Sequence, residues 1–270
     1  MDRKTSASPR RRHRLAAADQ APRHGLARVL SKLGICSRAQ AQTLVRDGRV
    51  RVNDKIVFDP ESPTDAKADR LTLDGEAIAA VEKIYLMLNK PRGFVTTASD
   101  EKGRATVYAL LRDGNLPWLA PAGRLDKGSE GLLLFSNDSE WAARLTDPVS
   151  HLDKTYHVQI DVLPDADLLQ RLRTGFDDDG EVLSAKSVHE LRRGEKNAWL
   201  EIMLDEGRNR QIRRLLAASD IEVLRLIRVA IGTLALGDLA QGKWRVLIPA
   251  EVAALRPGAP PAAKTVGSRY

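Results

Sequence analysis

The sequence predicts an α+β protein in two parts, a small N-terminal αβ module followed by a larger domain built on a mostly antiparallel mixed sheet. Three observations carry this expectation. Before about Leu73, apolar residues recur at helical spacing and then alternate around one tight turn. From Lys83 onward, strand-like runs mix with helices without regular alternation, which disfavours a wound parallel sheet. Between them, Pro60 to Glu82 holds two prolines and many charges around one strand-like segment, as a domain boundary does.

Taken in order, residues 1–24 are rich in Arg, Ala, Ser and Pro and poor in large apolar side chains, so burial there cannot offset the entropy of ordering. A disordered basic arm is expected. The module over 25–73 begins with Leu26, Val29, Leu30 and Leu33 at helical spacing, stopped by Gly34. Ser37 can cap a second helix with Ala41, Leu44 and Val45 as its apolar stripe and Gly48 at its end. Val50, Val52, Ile56 and Val57 around Asn53-Asp54 read as a hairpin.

In the larger domain, 83–256, strands are expected over Ile84 to Asn89, Gly131 to Ser136, Thr155 to Val162, Ala198 to Leu204 and Val223 to Val229. Helices are expected over Val107 to Leu111, Glu140 to Leu145, Ala166 to Arg173 and Arg208 to Ala218. The last stretch, 257–270, is Pro/Ala/Gly-rich and tail-like.

A formal net charge of +7 favours a polyanionic partner such as nucleic acid. Arg28, Lys32, Arg38, Arg46, Arg49 and Arg51 are interleaved with the small module and give it a basic surface suited to phosphates. No window approaches the ~20 apolar residues of a membrane helix, and the basic N-terminus lacks the apolar stretch of an export signal. One cysteine, Cys36, allows neither an internal disulfide nor a cysteine-rich zinc site, which suits a reducing cytoplasm.

The run GLARVLSKLGICSRAQAQTLVRDGRVRVND from Gly25 resembles the ribosomal-protein-S-four-like (alpha-L) RNA-binding domain. Three further segments resemble pseudouridine synthases of the RsuA/RluB group. They are NKPRGFVTT from Asn89; GRLDKGSEGLLLFSND from Gly123 with KTYHV at Lys154; and EGRNRQIRRLL from Glu206. Each alone is weak, but their order behind the RNA-binding module covers most of the chain. The resemblance implies isomerisation of a chosen uridine in ribosomal RNA, with large-subunit RNA favoured over small-subunit RNA. It also implies an RNA or ribosome-assembly partner, a flipped target nucleotide and no cofactor or metal. A monomer is expected.

By that resemblance Asp126 acts beside the anomeric carbon, either as nucleophile or as a base toward a ribose proton. Alone, Asp126 would read as the cap of the turn before Gly131; the company of the other segments favours catalysis. A buried carboxylate needs a cation to stay ionised. The resemblance assigns this to Arg213, which a helical wheel sets at the edge of an Ile212, Leu215, Leu216 stripe, with Arg210 and Arg214 pointing away. Arg208, placed at the buried start of that helix, is the second choice.

Tyr156 is the aromatic that the resemblance sets against the base, though its strand pattern suits a packed tyrosine equally. Arg124 is assigned an RNA contact, either bracing the vacated stack or meeting a phosphate. Lys90 and Pro91 read as pocket-wall supports. Glu130 and Asp138 read as structural residues on solvated turns rather than a glycosidase pair. The five histidines have no partners at metal-ligand spacing, and Asp177 to Gly180 reads as an acidic hairpin turn rather than a calcium loop. A non-catalytic RNA-binding factor and a nucleoside hydrolase are the competing readings.

Overall fold

The computed structural model describes residues 23–79, 81–178 and 180–255. Apart from Arg23 and His24, the expected arm over 1–24 lies outside the described residues, as does the tail over 257–270. Two compact units carry the elements.

In the smaller unit β1 (His24–Gly25) precedes the first four residues of α1 (Leu26–Lys32), whose remainder falls in the larger unit, and α2 (Arg38–Arg46). Of the stripes that helical spacing marked, Leu26, Val29, Leu30, Ala41 and Val45 are buried, while Leu33 and Leu44 are partly buried. Asn53 and Asp54 both take positive φ and turn β2 (Val50–Val52) into β3 (Lys55–Ile56), the backbone a tight hairpin requires. β4 (Pro63–Thr64) pairs with β1, and β5 (Leu71–Leu73) with β2. The sheet continues past Leu73 into β6 (Glu76–Ala77), giving the order β3-β2-β5-β6. Proline and charge had hidden β4 and β6 in the sequence.

The larger unit contains β7 (Tyr85–Lys90), β8 (Ala120–Ala122), β9 (Glu130–Ser136), α3 (Ser139–Thr146), β10 (Lys154–Ile160), α4 (Ala166–Thr174), β11 (Phe176–Asp178), β12 (Glu181–Leu183), β13 (Ser187–Arg193), β14 (Ala198–Leu204), α5 (Gln211–Ala217), β15 (Val223–Ile231), β16 (Leu234–Ala235), β17 (Trp244–Val246) and α6 (Pro249–Ala254). The main sheet runs β13-β14-β10-β15-β9-β7-β17, with β16 beside β15 and β8 beside β9. Its pairings are antiparallel except β15 with β9.

β9 is buried along its whole length because both faces are covered. Leu132 and Leu134 pack with Trp141 and Leu145 of α3, while Leu133 and Phe135 pack with Val107 and Leu111. A third core sets Val158, Leu200 and Ile202 against Leu168 and Leu172 of α4 and Ile212, Leu215 and Leu216 of α5.

The parallel contact needs a glycine. Gly131 has φ +98°, and a Cβ there would lie 2.2 Å from the Arg228 carbonyl oxygen. No larger residue fits without moving a strand.

Several sequence expectations are corrected. The helix expected over Val107 to Leu111 is a short 3-10 helix, Val107–Leu110. β13, whose charged residues disguise it, is a full strand on the sheet edge. α5 starts at Gln211 rather than Arg208, because Arg210 adopts a left-handed conformation at φ +49°. Asp138 is not on a solvated turn: 6% exposed, it caps α3 by accepting from the Glu140 and Trp141 amides, and Lys83 and Tyr85 also bond to it. Phe176–Asp178 and Glu181–Leu183 form the acidic hairpin expected there, with Asp179 outside the described residues.

Candidate active site

The loop between β8 and β9 carries Arg124 and Asp126 along one side of a cleft of about 710 Å³. Tyr156, Lys154, Arg208, Arg210, Arg213 and Arg228 also line it. β10 supplies Lys154 and Tyr156, β15 supplies Arg228, the segment leading into α5 supplies Arg208 and Arg210, and α5 itself supplies Arg213.

The Asp126 loop is fixed through its main chain. The fully buried Lys90 ammonium at the end of β7 donates to the carbonyls of Pro91 at 3.1 Å, Asp126 at 3.0 Å and Ser129 at 2.7 Å. All three of its protons therefore have acceptors. Thr96 adds a hydroxyl bond to the Leu125 carbonyl at 2.7 Å, and the Gly93 amide donates to the Lys127 carbonyl at 2.8 Å. Burial pulls the Lys90 pKa down to about 8, against the opposing pull of the Glu130 and Asp126 carboxylates. With its backbone clamped, Asp126 keeps a side chain 39% exposed toward the cleft.

The carboxylate's nearest cation differs from the one expected. Arg210 Nη1 stands 3.3 Å from Asp126 Oδ2, although the helical wheel turned Arg210 away. The reason is the left-handed residue: Arg210 precedes the helix, so helical geometry does not aim its side chain. Arg213 does lie at the edge of the buried stripe. Its guanidinium donates to the Gly128 carbonyl at 3.2 Å and the Val223 carbonyl at 3.3 Å, bracing the Asp126 loop against β15. Burial lowers the Arg213 pKa, helped by the Arg210 charge and opposed by Asp126.

Arg208 does not begin the helix. It pairs with Glu206 at 2.8 Å and Glu181 at 3.2 Å and donates to the Val182 carbonyl, so its charge is already engaged away from Asp126. Arg124 is exposed on the cleft loop and has no hydrogen-bond partner among the described residues.

Glu130, 4% exposed, is not on a solvated turn either. Arg225 grips it with two bonds of 3.1 and 2.8 Å, and Gln241 adds a third at 2.8 Å. That arrangement leaves little room for acid–base work. The sequence pattern gave no signal for Arg225 or Gln241, because both partners lie about 100 residues away along the chain.

In the smaller unit Arg28, Arg38, Arg46, Arg49 and Arg51 are exposed; Lys32, at the end of α1, falls in the larger unit and is half-buried. Arg49 is bound by Asp74 through two bonds and Arg38 by Glu61 at 3.2 Å. Arg28 and Arg46 have no ion-pair partner among the described residues. No group of three or more His, Cys, Asp or Glu is placed to hold a metal among the described residues, and no helix there is long and apolar enough to cross a membrane.

Residues 84–218 match the RNA pseudouridylate synthase family, and residues 25–67 match the S4 domain. The chain is 35% identical over 234 residues to ribosomal large subunit pseudouridine synthase B of Bacillus subtilis (strain 168), covering 86% of this chain and 95% of that one. An uncharacterized RNA pseudouridine synthase of Aquifex aeolicus (strain VF5) is also 35% identical, over 245 residues covering 90% and 95% of the two chains. A crystal structure of a pseudouridylate synthase superposes with a TM-score of 0.58 at 29% identity, over 86% of this chain and 99% of that one. The site described above is thus set in a chain that belongs to the RNA pseudouridylate synthases, isomerases acting on RNA, and that carries an S4 domain ahead of the catalytic one.

Proposed function

We propose that this protein converts one uridine of ribosomal RNA, in the large subunit, into pseudouridine, with Asp126 as the reacting carboxylate. The relative named for large-subunit RNA supports the substrate class. The carrying observation is Asp126 itself: a main chain clamped by Lys90 and a side chain left open to a cleft lined by Tyr156.

The reaction breaks the bond between C1′ and N1 and joins C1′ to C5. Asp126 acts at the sugar, either bonding C1′ or removing a ribose proton. Tyr156 lines the cleft, where its ring supplies a face on which the flipped uracil stacks and its hydroxyl serves in proton transfer. Arg210 supplies positive charge beside the carboxylate, and Arg213 braces the loop that carries it through the Gly128 carbonyl. The redox state is unchanged and nothing is hydrolysed, so no cofactor is required by the chemistry.

Asp126→Asn tests the assignment, because it removes the charge and keeps the shape. Isomerisation should vanish while folding and RNA affinity persist. Substantial turnover by this variant would show that another group does the chemistry. Mapping pseudouridines in ribosomal RNA from cells with and without the protein identifies the target, and loss of a small-subunit site only would overturn the large-subunit assignment.

A further inference from the structure

Arg228 lies directly opposite Tyr156 on the neighbouring strand, so both side chains share the cleft face of the sheet. It is 6% exposed. Its Nε donates to the Leu132 carbonyl at 2.7 Å, but Nη2 is buried with no hydrogen-bond partner among the described residues. Arg228 also has no carboxylate within ion-pair distance there, unlike Arg225 three residues earlier. Lys154 lies two residues before Tyr156 and therefore on the same face. It lines the same cleft without an ion pair of its own among the described residues. Burial lowers the Lys154 pKa, and the Arg228 charge lowers it further, against Asp153 and Asp205.

Two partly desolvated cations side by side, one with an orphaned buried N–H group, are costly unless an anion meets them. A phosphodiester is one such anion, but depth argues against it. Phosphates remain hydrated and run along a cleft's rim, where the exposed Arg124 and Arg210 stand. The group that reaches the floor beside Tyr156 is the base. We propose that Arg228 and Lys154 hold the carbonyl oxygens of the target uracil and stabilise the negative charge it acquires when its bond to ribose breaks.

This inference rests on the synthase reading above. When C1′–N1 cleaves, the bonding electron pair stays with the base, and the charge spreads over N1, O2 and O4. Asp126 meanwhile bonds C1′ or takes a ribose proton. After the base turns, C5 bonds C1′ and Asp126 is released or returns its proton. The C5 hydrogen leaves as a proton and N1 gains one, so the product is an isomer. Cations fixed in advance at the carbonyl oxygens act where charge develops, with no reorganisation at the moment of cleavage.

The test uses full-length protein and an RNA hairpin spanning the mapped uridine. Arg228→Met and Lys154→Met should each lower the single-turnover rate on bound RNA by about 100-fold, the scale of losing one oxyanion donor, with Kd changed by less than about threefold. Arg228→Lys should recover part of the rate. Placing 2-thiouridine or 4-thiouridine at the target weakens one acceptor. With the wild type this should slow the reaction, and with the Met variants the added penalty should shrink at the oxygen contacted.

Weaker binding with a normal bound-state rate and a salt slope reduced by about one would make the pair a phosphate contact and overturn the proposal. Additive penalties at both oxygens would also overturn it. If Arg228→Met fails to fold, Lys154→Met decides on the same measurements. Turnover by Asp126→Asn would sink the synthase assignment itself, whereas an inert Asp126→Asn beside normal Arg228→Met and Lys154→Met would sink this inference alone.

Discussion

The buried ammonium of Lys90 donates to the main-chain carbonyl of Asp126 at 3.0 Å, so the residue that ends β7 positions the carboxylate proposed to react without touching it. Lys90→Met should therefore lower single-turnover activity by more than about tenfold, by freeing the loop rather than by removing a reacting group. Stability should fall by only about 1–3 kcal/mol, because three charge-assisted bonds are lost but a desolvated charge goes with them. Urea unfolding beside single-turnover kinetics checks both. An active variant with normal stability would show that the clamp is dispensable.

The same lysine gives a pH signature. Its pKa is lowered from 10.5 to about 8 in the folded chain. Between these values the unfolded chain binds more protons than the folded one, so this group's contribution to stability rises with pH across that window. Activity should move the other way. A neutral amine has only two N–H groups for three carbonyls, and the Asp126 loop loosens, so the bound-state rate should fall as pH passes about 8. A pH–rate profile that stays flat to about pH 9 would remove Lys90 as the cause.

Arg210 and Arg213 should separate by readout. The Arg210 side chain is 53% exposed, and its pair with Asp126 is largely screened by water, so Arg210→Met should change the bound-state rate by less than about fivefold. Arg213 is half-buried and spans Gly128 and Val223, so Arg213→Met should cost more than about tenfold, with Arg213→Lys recovering little because one ammonium cannot bridge both carbonyls in the same geometry. The reverse ranking would make Arg210 the principal partner of Asp126.

Gly131→Ala should destabilise the larger unit by more than about 3 kcal/mol, since a positive φ and a collision with the Arg228 carbonyl act together. Thermal and urea unfolding measure it. A loss under about 1 kcal/mol would mean that β9 and β15 separate easily.

In the smaller unit, Arg28→Ala and Arg46→Ala should each reduce the salt slope of RNA binding by about one. Arg49→Ala should reduce it less, because Asp74 already neutralises Arg49. Equal effects from all three would show that RNA displaces Asp74.

By itself the sequence determined the α+β class, the N-terminal RNA-binding module and the segments that carry Asp126, Tyr156 and Arg213. Those features are local. Helical stripes such as Ala41 and Val45, the Asn53-Asp54 turn and the apolar run of β9 are each set by residues within one turn or one strand, so they can be read in order along the chain. Only the tertiary structure decided which charges meet. The bond between Arg210 and Asp126 joins residues 84 positions apart and depends on one left-handed residue that shortens α5. Glu130 was drawn from an apparent turn into a buried grip by Arg225, 95 positions away, and Lys90 was drawn from a wall residue into a three-way clamp. Arg228 gained its place opposite Tyr156 only when β15 paired with β10. Long-range pairing brings side chains together through strand register, and register follows from the packing of whole sheets rather than from any local pattern.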